Sequence, residues 1–311
     1  MKIVVIGDLL YDHFLWAEHL PRMGETVTGF KTGFYAGGKG GNQAVQAARL
    51  GAEVYMIGKV GKDERGRFLI ESLQKEGVHT EYVFEDPNED TGTDSVNIDR
   101  NGNNAIIVAP LANEKITVEE VRSARELIES CDVLLSQLQI NEEAITEAFR
   151  IAHAAGVPIV LNPAPAREVP AEYYELADFV TPNETEAEFY TGCYQAEMEP
   201  EVWKEKVAEA FAKAGARNLI VTLGAQGAMH CHDGVRTEIP AFPVKAVDTT
   251  AAGDSFNAAF CVSLAGGSDV MTAIRHGNAA GGLTASEYGS FPSMPDKEKF
   301  EAFLQAHAEV K

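Results

Sequence analysis

The stretch Gly37-Gly38-Lys39-Gly40-Gly41-Asn42-Gln43-Ala44 places four glycines within five positions. Glycine lets a backbone approach a neighbour closely or adopt a positive φ. A helix is predicted to begin directly after the glycines, at residues 42–50, so its free N–H groups would point into the same space. The stretch therefore predicts a site for a hydroxylated or anionic small ligand.

Two other interpretations of this glycine-rich stretch are weaker. Together with Gly33 it approaches the P-loop pattern Gly-x-x-x-x-Gly-Lys, but Gly40 stands where that motif needs Ser or Thr to bind Mg²⁺. A purely structural turn between a strand and a helix would not need Lys39 and Asn42 within it. Ligand binding remains the favoured interpretation.

On both sides of this stretch, short apolar runs alternate with helical patterns. Strands are predicted at residues 2–6, 54–57, 133–135, 158–161, 179–181, 219–223 and 228–230. Helices are predicted at residues 42–50, 66–76, 117–130, 142–155, 185–191, 200–214, 254–265, 270–285 and 296–310. Most of these strands are uniformly apolar, as in parallel strands covered on both faces. The alternation predicts a doubly wound, mostly parallel α/β sheet with helices on both faces and ligands at the carboxyl ends of the strands.

Two segments, residues 14–34 and 91–109, break this alternation. In the second, Asn101-Gly102 lies between two predicted strands at residues 94–99 and 104–108, which is a strong hairpin signal. Together the segments predict a small separate β-sheet, which is either an edge hairpin or a lid over the site. We assign residues 11–34 and 91–109 to this small sheet. The α/β domain then comprises residues 1–10, 35–90 and 110–311.

The composition excludes several classes of function. The 311 residues include 26 Lys and Arg against 47 Asp and Glu, a net charge of −21. Such an excess of acid repels phosphate backbones and anionic lipid, so we expect neither a nucleic-acid nor a membrane partner. No apolar run is long enough to span a bilayer, and residues 3–6 are too short for a signal-peptide core. The sparse cysteines suit no disulfide framework or zinc site, so we expect a reducing, cytoplasmic location.

A second motif, residues 247–257, reads Val-Asp-Thr-Thr-Ala-Ala-Gly-Asp-Ser-Phe-Asn. Its small residues lead into a predicted helix, so the N–H groups of Ala252, Gly253 and Asp254 would project from the helix N-terminus. That arrangement predicts an anion site. Asp254 is either a residue that favours the helix dipole or N-cap, or a general base beside the anion site.

Two further motifs are less specific. Asn183 and Glu186 are three residues apart at a predicted helix start, so they share a face and could orient Mg²⁺ through water. An ordinary helix N-terminus with acidic first-turn residues fits them equally. The strand ending Thr222-Leu223-Gly224-Ala225-Gln226-Gly227 has the small-residue turn that often cradles a nucleotide.

Taken together, these motifs resemble the ribokinase family, the phosphofructokinase-B-type sugar kinases. The strongest signatures are residues 37–42 and 248–257, and residues 21–27, 162–168 and 181–188 also match the ribokinase branch. The resemblance covers essentially the whole chain. It implies a ribokinase-like α/β fold with a small β-sheet lid and a homodimer formed through the lids. It also implies ATP-dependent phosphorylation of the primary hydroxyl of a small sugar, foremost D-ribose to ribose 5-phosphate.

The resemblance also implies a role for each matching position. The implied sugar-binding residues are Leu10, Asp12, Gly38, Lys39, Gly40, Gly41, Asn42, Gln139 and Asp254. The implied ATP-binding residues are Asn183, Glu186, Thr222, Gly224, Gly227, Gly253 and Asn278. The implied monovalent-cation site, usually for K⁺, comprises Asp248, Thr250, Thr284, Glu287, Gly289 and Ser293.

The implied catalytic residues are Asp254 and the backbone of Ala251, Ala252 and Gly253. Asp254 would accept a proton from the sugar hydroxyl as that oxygen attacks the γ-phosphorus. The backbone amides of these residues would stabilise the charge on the transferred phosphoryl group. Mg²⁺ would neutralise the β- and γ-phosphate oxygens, with Asn183 and Glu186 orienting its waters.

Three positions depart from the family pattern on the sugar side. Leu10 stands where the family has Asn, Gln139 replaces a Glu, and Asp94 occupies a position that is usually apolar. An apolar residue at position 10 suits a sugar that lacks a hydroxyl, such as 2-deoxyribose, whereas Asp94 suits an additional hydroxyl, as in a hexose. We therefore expect ribose first and keep another pentose, a deoxypentose, a hexose or a nucleoside as alternatives.

Two other classes of protein are also considered. A non-catalytic sugar- or nucleotide-binding regulator would not need Asp254, the Gly253 turn and the Asn183–Glu186 pair. A Rossmann-type dehydrogenase would carry Gly-x-Gly-x-x-Gly after the first strand, and this sequence does not.

Overall fold

The computed structural model describes residues 1–308, so the predicted helix end at Val310 lies outside the described residues. The strands are β1 (Lys2–Ile6), β2 (Leu10–Ala17), β3 (Gly29–Gly37), β4 (Glu53–Gly61), β5 (His79–Asp86), β6 (Thr93–Ile98), β7 (Asn104–Ala109), β8 (Val133–Ser136), β9 (Ile159–Leu161), β10 (Phe179–Val180), β11 (Asn218–Thr222), β12 (Ala228–His232) and β13 (Val235–Ile239). The helices are α1 (Lys39–Arg49), α2 (Glu64–Lys75), α3 (Val118–Ser123), α4 (Arg125–Glu129), α5 (Glu142–Ala155), α6 (Glu172–Leu176), α7 (Glu184–Thr191), α8 (Pro200–Lys213), α9 (Ala252–Ala265), α10 (Val270–Ala285) and α11 (Lys297–Ala306).

The larger sheet has the strand order β13-β12-β11-β10-β9-β8-β1-β4-β5 within residues 1–308. Strands β5 to β11 of this order pair in parallel, whereas β12 and β13 pair antiparallel to their neighbours. The predicted doubly wound, mostly parallel sheet is confirmed. Its two edge strands, β5 and β13, were missed because an edge strand carries exposed polar side chains and lacks a continuous apolar run.

Helices cover both faces of this sheet, and β1 at its centre contributes to both cores. Val4 packs in a cluster with Phe149 of α5, whereas Val5 packs on the opposite face in a cluster with Phe260 of α9. All four side chains are fully or almost fully buried. Burying a side chain of this size stabilises the fold by about 1.5–3 kcal/mol. The uniformly apolar strand β1 therefore stabilises the packing of helices on both faces of the sheet.

The smaller sheet has the order β3-β2-β6-β7. Strands β2 and β6 pair in parallel, while β2–β3 and β6–β7 are antiparallel hairpin pairs. Gly102 supplies the positive φ of the turn between β6 and β7, so the predicted Asn-Gly hairpin is confirmed. Because β2 follows β1 directly and β3 runs into α1, this small separate sheet lies at the carboxyl end of the larger one.

Two helix predictions were wrong in their bounds. The predicted helix at 117–130 is two short helices, α3 and α4, that meet at Ala124. Helix α1 begins at Lys39, three residues before the predicted start, so Gly40 and Gly41 lie in its first turn. Among residues 1–308, no helix combines the length and apolar character needed to cross a membrane.

Candidate active site

A cleft of about 680 Å³ lies between the carboxyl ends of the large-sheet strands, the small sheet and the start of α9. The predicted site residues that line it are Leu10, Asp12, Gly38, Lys39, Asn42, Gln139, Asn183, Glu186, Thr222, Thr250, Ala251, Gly253 and Asp254. The predicted residues outside this lining, within residues 1–308, are Gly40, Gly41, Gly224, Gly227, Asp248, Ala252, Asn278, Thr284, Glu287, Gly289 and Ser293. The structure therefore brings the two strongest motifs together in one cleft.

Asp254 lies in the first turn of α9 and is buried. Its Oδ2 accepts a hydrogen bond from Asn42 Nδ2 at 2.8 Å, and its Oδ1 accepts one from Gln43 Nε2 at 3.0 Å. Burial raises the pKa of the Asp254 carboxyl, and the Lys39 charge and the two amide donors oppose that rise. The carboxylate is thus fixed in orientation before any ligand binds.

Gln43 is a site residue to which no motif assigned a role. Its Nε2 also donates to Asn162 Oδ1 at 3.1 Å, and its Oε1 accepts from Gln137 Nε2. Asn162 in turn donates to the carbonyl of Thr181 at 3.2 Å. Gln43 could have been found because it lies on the face of a predicted helix that also carries alanines, which is a buried face. A buried amide needs polar partners, so a glutamine there points to a hydrogen-bonded site.

A second set of bonds holds the first turn of α9 against the end of β10. Thr181 Oγ1 donates to Asn257 Oδ1 at 2.6 Å, and Asn257 Nδ2 donates to the Gly253 carbonyl at 2.9 Å. Both side chains are buried. The start of α9, which carries Asp254, is therefore held by hydrogen bonds from α1 on one side and from Thr181, after β10, on the other.

The N-terminus of α9 opens into the cleft. Ala251 precedes the helix with φ of 60°, in the left-handed region, and a Cβ built at Gly253 would meet no heavy atom within 4 Å in the described chain. First-turn amides have no intrahelical partner, so the amides of Gly253 and Asp254 are available to an anion. The Ala252 amide donates to the Thr249 carbonyl at 3.2 Å, so the prediction that it is free was wrong.

The amides at the N-terminus of α1 are already bound within the protein, so of the two predicted ligand classes the anionic one does not fit this stretch. The buried Asp8 carboxylate accepts hydrogen bonds from the amides of Lys39 at 3.2 Å and Gly40 at 2.9 Å, and its carbonyl accepts from Gly41 at 3.0 Å. Burial raises the pKa of Asp8 to about 6. A Cβ at Gly40 would lie 2.7 Å from the Asp8 backbone. The glycines serve this close contact, and the interpretation that remains is a hydroxylated ligand.

Lys39 supplies positive charge to the cleft. Burial alone would lower the pKa of its ammonium group, but the carboxylates of Asp254, Asp8 and Glu186 outweigh that effect and raise it. Lys39 is therefore charged at neutral pH, where it offsets the acidic groups around it.

Asn183 and Glu186 form a reciprocal capping box at the start of α7. Asn183 Oδ1 accepts from the Glu186 amide, and Glu186 Oε2 accepts from the Asn183 amide, both at 2.8 Å. The structural interpretation of this pair is thus realised, and both residues also line the cleft. Burial raises the pKa of Glu186.

The nucleotide-side turns are only partly in the cleft. Thr222 ends β11 and bridges to Asn183, and Gly224–Gln226 follows as a single 3₁₀ turn. Asn278 uses its amide to donate to the carbonyls of Ile239 at 3.1 Å and Pro240 at 3.2 Å. The Asn278 side chain therefore fastens β13 to α10.

Among the predicted cation-site residues, Glu287 is exposed and accepts a hydrogen bond from Lys299 Nζ at 3.3 Å, whereas Thr250 and Gly289 are joined by Asp248. Its carboxylate accepts from the amides of Thr250 and Gly289, both at 3.0 Å. Ser293 Oγ donates to the Gly289 carbonyl at 2.6 Å, and Thr284 Oγ1 donates to Ser255 Oγ at 2.7 Å. Asp248 thus joins the loop before α9 to the loop after α10.

Comparison with known proteins agrees with this geometry. The sequence pattern described as "pfkB family carbohydrate kinase" matches residues 1–297. The chain belongs to this family of carbohydrate kinases. It is 40% identical to the ribokinase of Bacillus subtilis over 97% of this chain and 99% of that protein. It is 33% identical to the deoxyribokinase of Salmonella typhi over 98% and 99%.

A solved structure shows the same fold within this pfkB family. The Arabidopsis thaliana ribokinase complexed with ribose and ATP aligns with a TM-score of 0.88 at 31% identity, covering 98% of each chain. The predicted ribokinase-like fold and phosphotransferase class are thus confirmed.

Proposed function

We propose that this chain transfers the γ-phosphoryl group of ATP to the primary hydroxyl of D-ribose, giving ribose 5-phosphate and ADP. The observation that carries the proposal is Asp254, held by Asn42 and Gln43 beside the open N-terminus of α9. A fixed carboxylate beside free amides is what phosphoryl transfer to a hydroxyl needs. The ribokinases named above support ribose as the acceptor.

In the proposed reaction, Asp254 accepts the proton of the ribose hydroxyl as that oxygen forms a bond to the γ-phosphorus. The bond between the γ-phosphorus and the bridging oxygen breaks, and ADP leaves. The amides of Gly253 and Asp254 stabilise the negative charge that develops on the transferred group, because they donate to it from a helix N-terminus. Ala251 shapes this turn through its left-handed backbone.

ATP is proposed to lie along Asn183, Glu186 and Thr222 and the turn that contains Gly224 and Gly227. Lys39 lines the cleft and supplies positive charge beside its acidic groups. Because the chain carries a net charge of −21, attraction for a polyanion has to come from such local groups.

Mg²⁺ and K⁺ are proposed as cofactors. Within residues 1–308 no three His, Cys, Asp or Glu side chains are grouped to hold a metal, which suits Mg²⁺ bound mainly by phosphates and water beside Glu186. When bound, Mg²⁺ neutralises the β- and γ-phosphate oxygens. The loops joined by Asp248 would supply carbonyl oxygens to K⁺, so activity should fall when KCl is replaced by tetramethylammonium chloride.

The test is ATP consumption by the purified chain with ribose, 2-deoxyribose, fructose, tagatose and nucleosides. We expect ribose to give the highest kcat/KM. If a different sugar is preferred, the substrate assignment is wrong but the kinase assignment stands. Sugar binding without any ATP consumption would instead favour a non-catalytic regulator.

2-Deoxyribose is the second candidate because of Leu10. This side chain is buried and lines the cleft, and it offers no hydrogen bond to a sugar hydroxyl. A deoxyribokinase is also among the relatives, at 33% identity. Comparable kcat/KM values for ribose and 2-deoxyribose would support this candidate.

We also propose a homodimer formed through the small sheets. Phe30 and Phe34 on β3 and Ile107 on β7 are half or more exposed, and exposed apolar side chains on one sheet favour association. Light scattering should report a dimer, and Ile107→Glu should give a monomer. The cysteines in residues 1–308 are free thiols, in keeping with the proposed cytoplasmic location.

A further inference from the structure

Asp94 lines the cleft, and the family resemblance gives it no role. It lies on β6 and is paired in register with Asp12 on the parallel strand β2. Neighbouring strands of a sheet lie about 5 Å apart, so the two carboxyls sit side by side. Both residues line the cleft, together with the apolar Val96 from the same face of β6. An acidic pair is therefore placed at the sugar side of the cleft, opposite the helix that carries Asp254.

Three acceptors in this region have no donor. Oδ1 of Asp12, Oδ1 of Asp94 and Oδ1 of Asn42 are buried without a hydrogen-bond partner in the described part of the chain. Asp12 and Asn42 are themselves only 4% and 7% exposed. Buried polar atoms are nearly always paired, because leaving one unpaired is costly. A ligand that brings several O–H donors would satisfy all three.

The chemistry of these acceptors selects a neutral polyol over an anion. Oxygen acceptors repel a phosphate, so the phosphates of a nucleotide belong at the other end of the cleft, near Gly253. Burial raises the pKa of Asp94 to about 6, and burial together with the Asp94 and Asp8 carboxyls raises the pKa of Asp12 well above its usual range. Such a pair holds a proton more readily than isolated carboxyls, so it can offer both an acceptor and a donor to adjacent hydroxyls.

We propose that Asp94 is a specificity-determining residue that, together with Asp12, binds two neighbouring hydroxyls of the sugar. The inference rests on the proposed sugar-kinase function and adds the substrate class, which is a sugar with an intact vicinal diol. On this basis the site favours ribose over 2-deoxyribose, because the deoxy sugar leaves one of the buried oxygens unpaired.

The test compares Asp94→Ala with Ser95→Ala. Ser95 is the next residue of β6 and, by the alternation of a strand, points to the opposite face, which makes it the matched control. For Asp94→Ala we expect KM for ribose to rise roughly 10–100-fold, the loss expected for a hydrogen bond to a charged group. We expect kcat to change little, and the preference for ribose over 2-deoxyribose to fall by a similar factor. Asp94→Asn should keep part of the preference, and Ser95→Ala should match the wild type.

Calorimetric titration of ribose without ATP separates this inference from the proposed function. If the wild type phosphorylates ribose and Asp94→Ala shows the same ratio of kcat/KM between the two sugars, the role of Asp94 is refuted while the kinase stands. An equal loss of kcat/KM for both sugars would also refute the role of Asp94, because a purely structural residue would affect both sugars alike. If the wild type binds ribose far better than Asp94→Ala but consumes no ATP, the role of Asp94 stands and the kinase assignment falls. If the wild type neither binds nor phosphorylates any of the sugars, both are overturned.

Discussion

The two ends of the cleft differ in how their carboxyls are held. At the α9 end, both oxygens of Asp254 accept hydrogen bonds from protein amides. At the small-sheet end, Asp12 and Asp94 each keep a buried oxygen without a donor. This difference matches two roles. The protein orients a general base before the substrate binds, whereas the groups that recognise a substrate obtain their hydrogen-bond partners from that substrate. The residues of the first end match the family pattern, whereas at the second end Asp12 matches it and Asp94 departs from it.

The largest effect should come from removing the base. Asp254→Asn keeps the size of the side chain but cannot accept the proton, so kcat should fall by about 10²–10⁴. ATP affinity should stay close to the wild type, because no nucleotide contact is lost. Steady-state kinetics and ATP titration check both. A kcat within tenfold of the wild type would show that Asp254 is not the base.

A smaller effect should follow from removing one hydrogen-bond donor to Asp254 while keeping Asp254 itself. Gln43→Ala removes one donor to Asp254. Donors stabilise the charged carboxylate and lower its pKa, so losing one should raise the pKa of Asp254 further. The base must be ionised, so kcat falls as pH drops through this pKa. The acidic limb of the pH–kcat profile should therefore move to higher pH.

For Gln43→Ala we also expect a loss in kcat of roughly tenfold near neutral pH, the cost of about one such hydrogen bond. Gln46→Ala is the matched control, since Gln46 lies one turn along the same buried face but donates to the Pro295 carbonyl and accepts from Ser255 Oγ, without a bond to Asp254. An unshifted pH profile in Gln43→Ala, with only a lower melting temperature, would make Gln43 a purely structural residue.

A change at the sugar end should alter selectivity and leave kcat almost unchanged. Leu10→Asn puts an amide where the buried Leu10 side chain lines the cleft. We expect the ribose to 2-deoxyribose ratio of kcat/KM to rise by about tenfold, the value of one added hydrogen bond. Competition between the two sugars measures the ratio directly. A fall in the ratio would mean that residue 10 does not face the hydroxyl by which the two sugars differ.

The smallest effect should come from the capping box of α7. Asn183→Ala removes the acceptor for the Glu186 amide and should lower the free energy of unfolding by about 1 kcal/mol. The sugar KM should not change, because the small sheet is untouched. Urea unfolding and sugar kinetics are the measurements, and Asn183→Asp, which keeps a cap, is the control. A change in sugar KM would contradict the independence of the two ends.

The sequence was sufficient where the signal is local and insufficient where partners are distant. Asp254 could be found because small residues and a helix start surround it. Its partner Gln43 lies 211 positions away, and Asp8 reaches Gly40 across 32 positions. Nothing in the local pattern shows that Asp8 occupies the start of α1. The register that sets Asp94 beside Asp12 likewise depends on a parallel pairing between distant strands, which no motif encodes.

The hairpin of β6 and β7 has a consequence for engineering. Its two ends meet, since Thr93 pairs with Ala109, and it carries Asp94 while contributing nothing to the bonds around Asp254. A closed segment of this kind can be transplanted between relatives as a cassette. Grafting this one hairpin is therefore a way to change how the scaffold recognises sugars at Asp94, with the phosphoryl-transfer machinery left as it is.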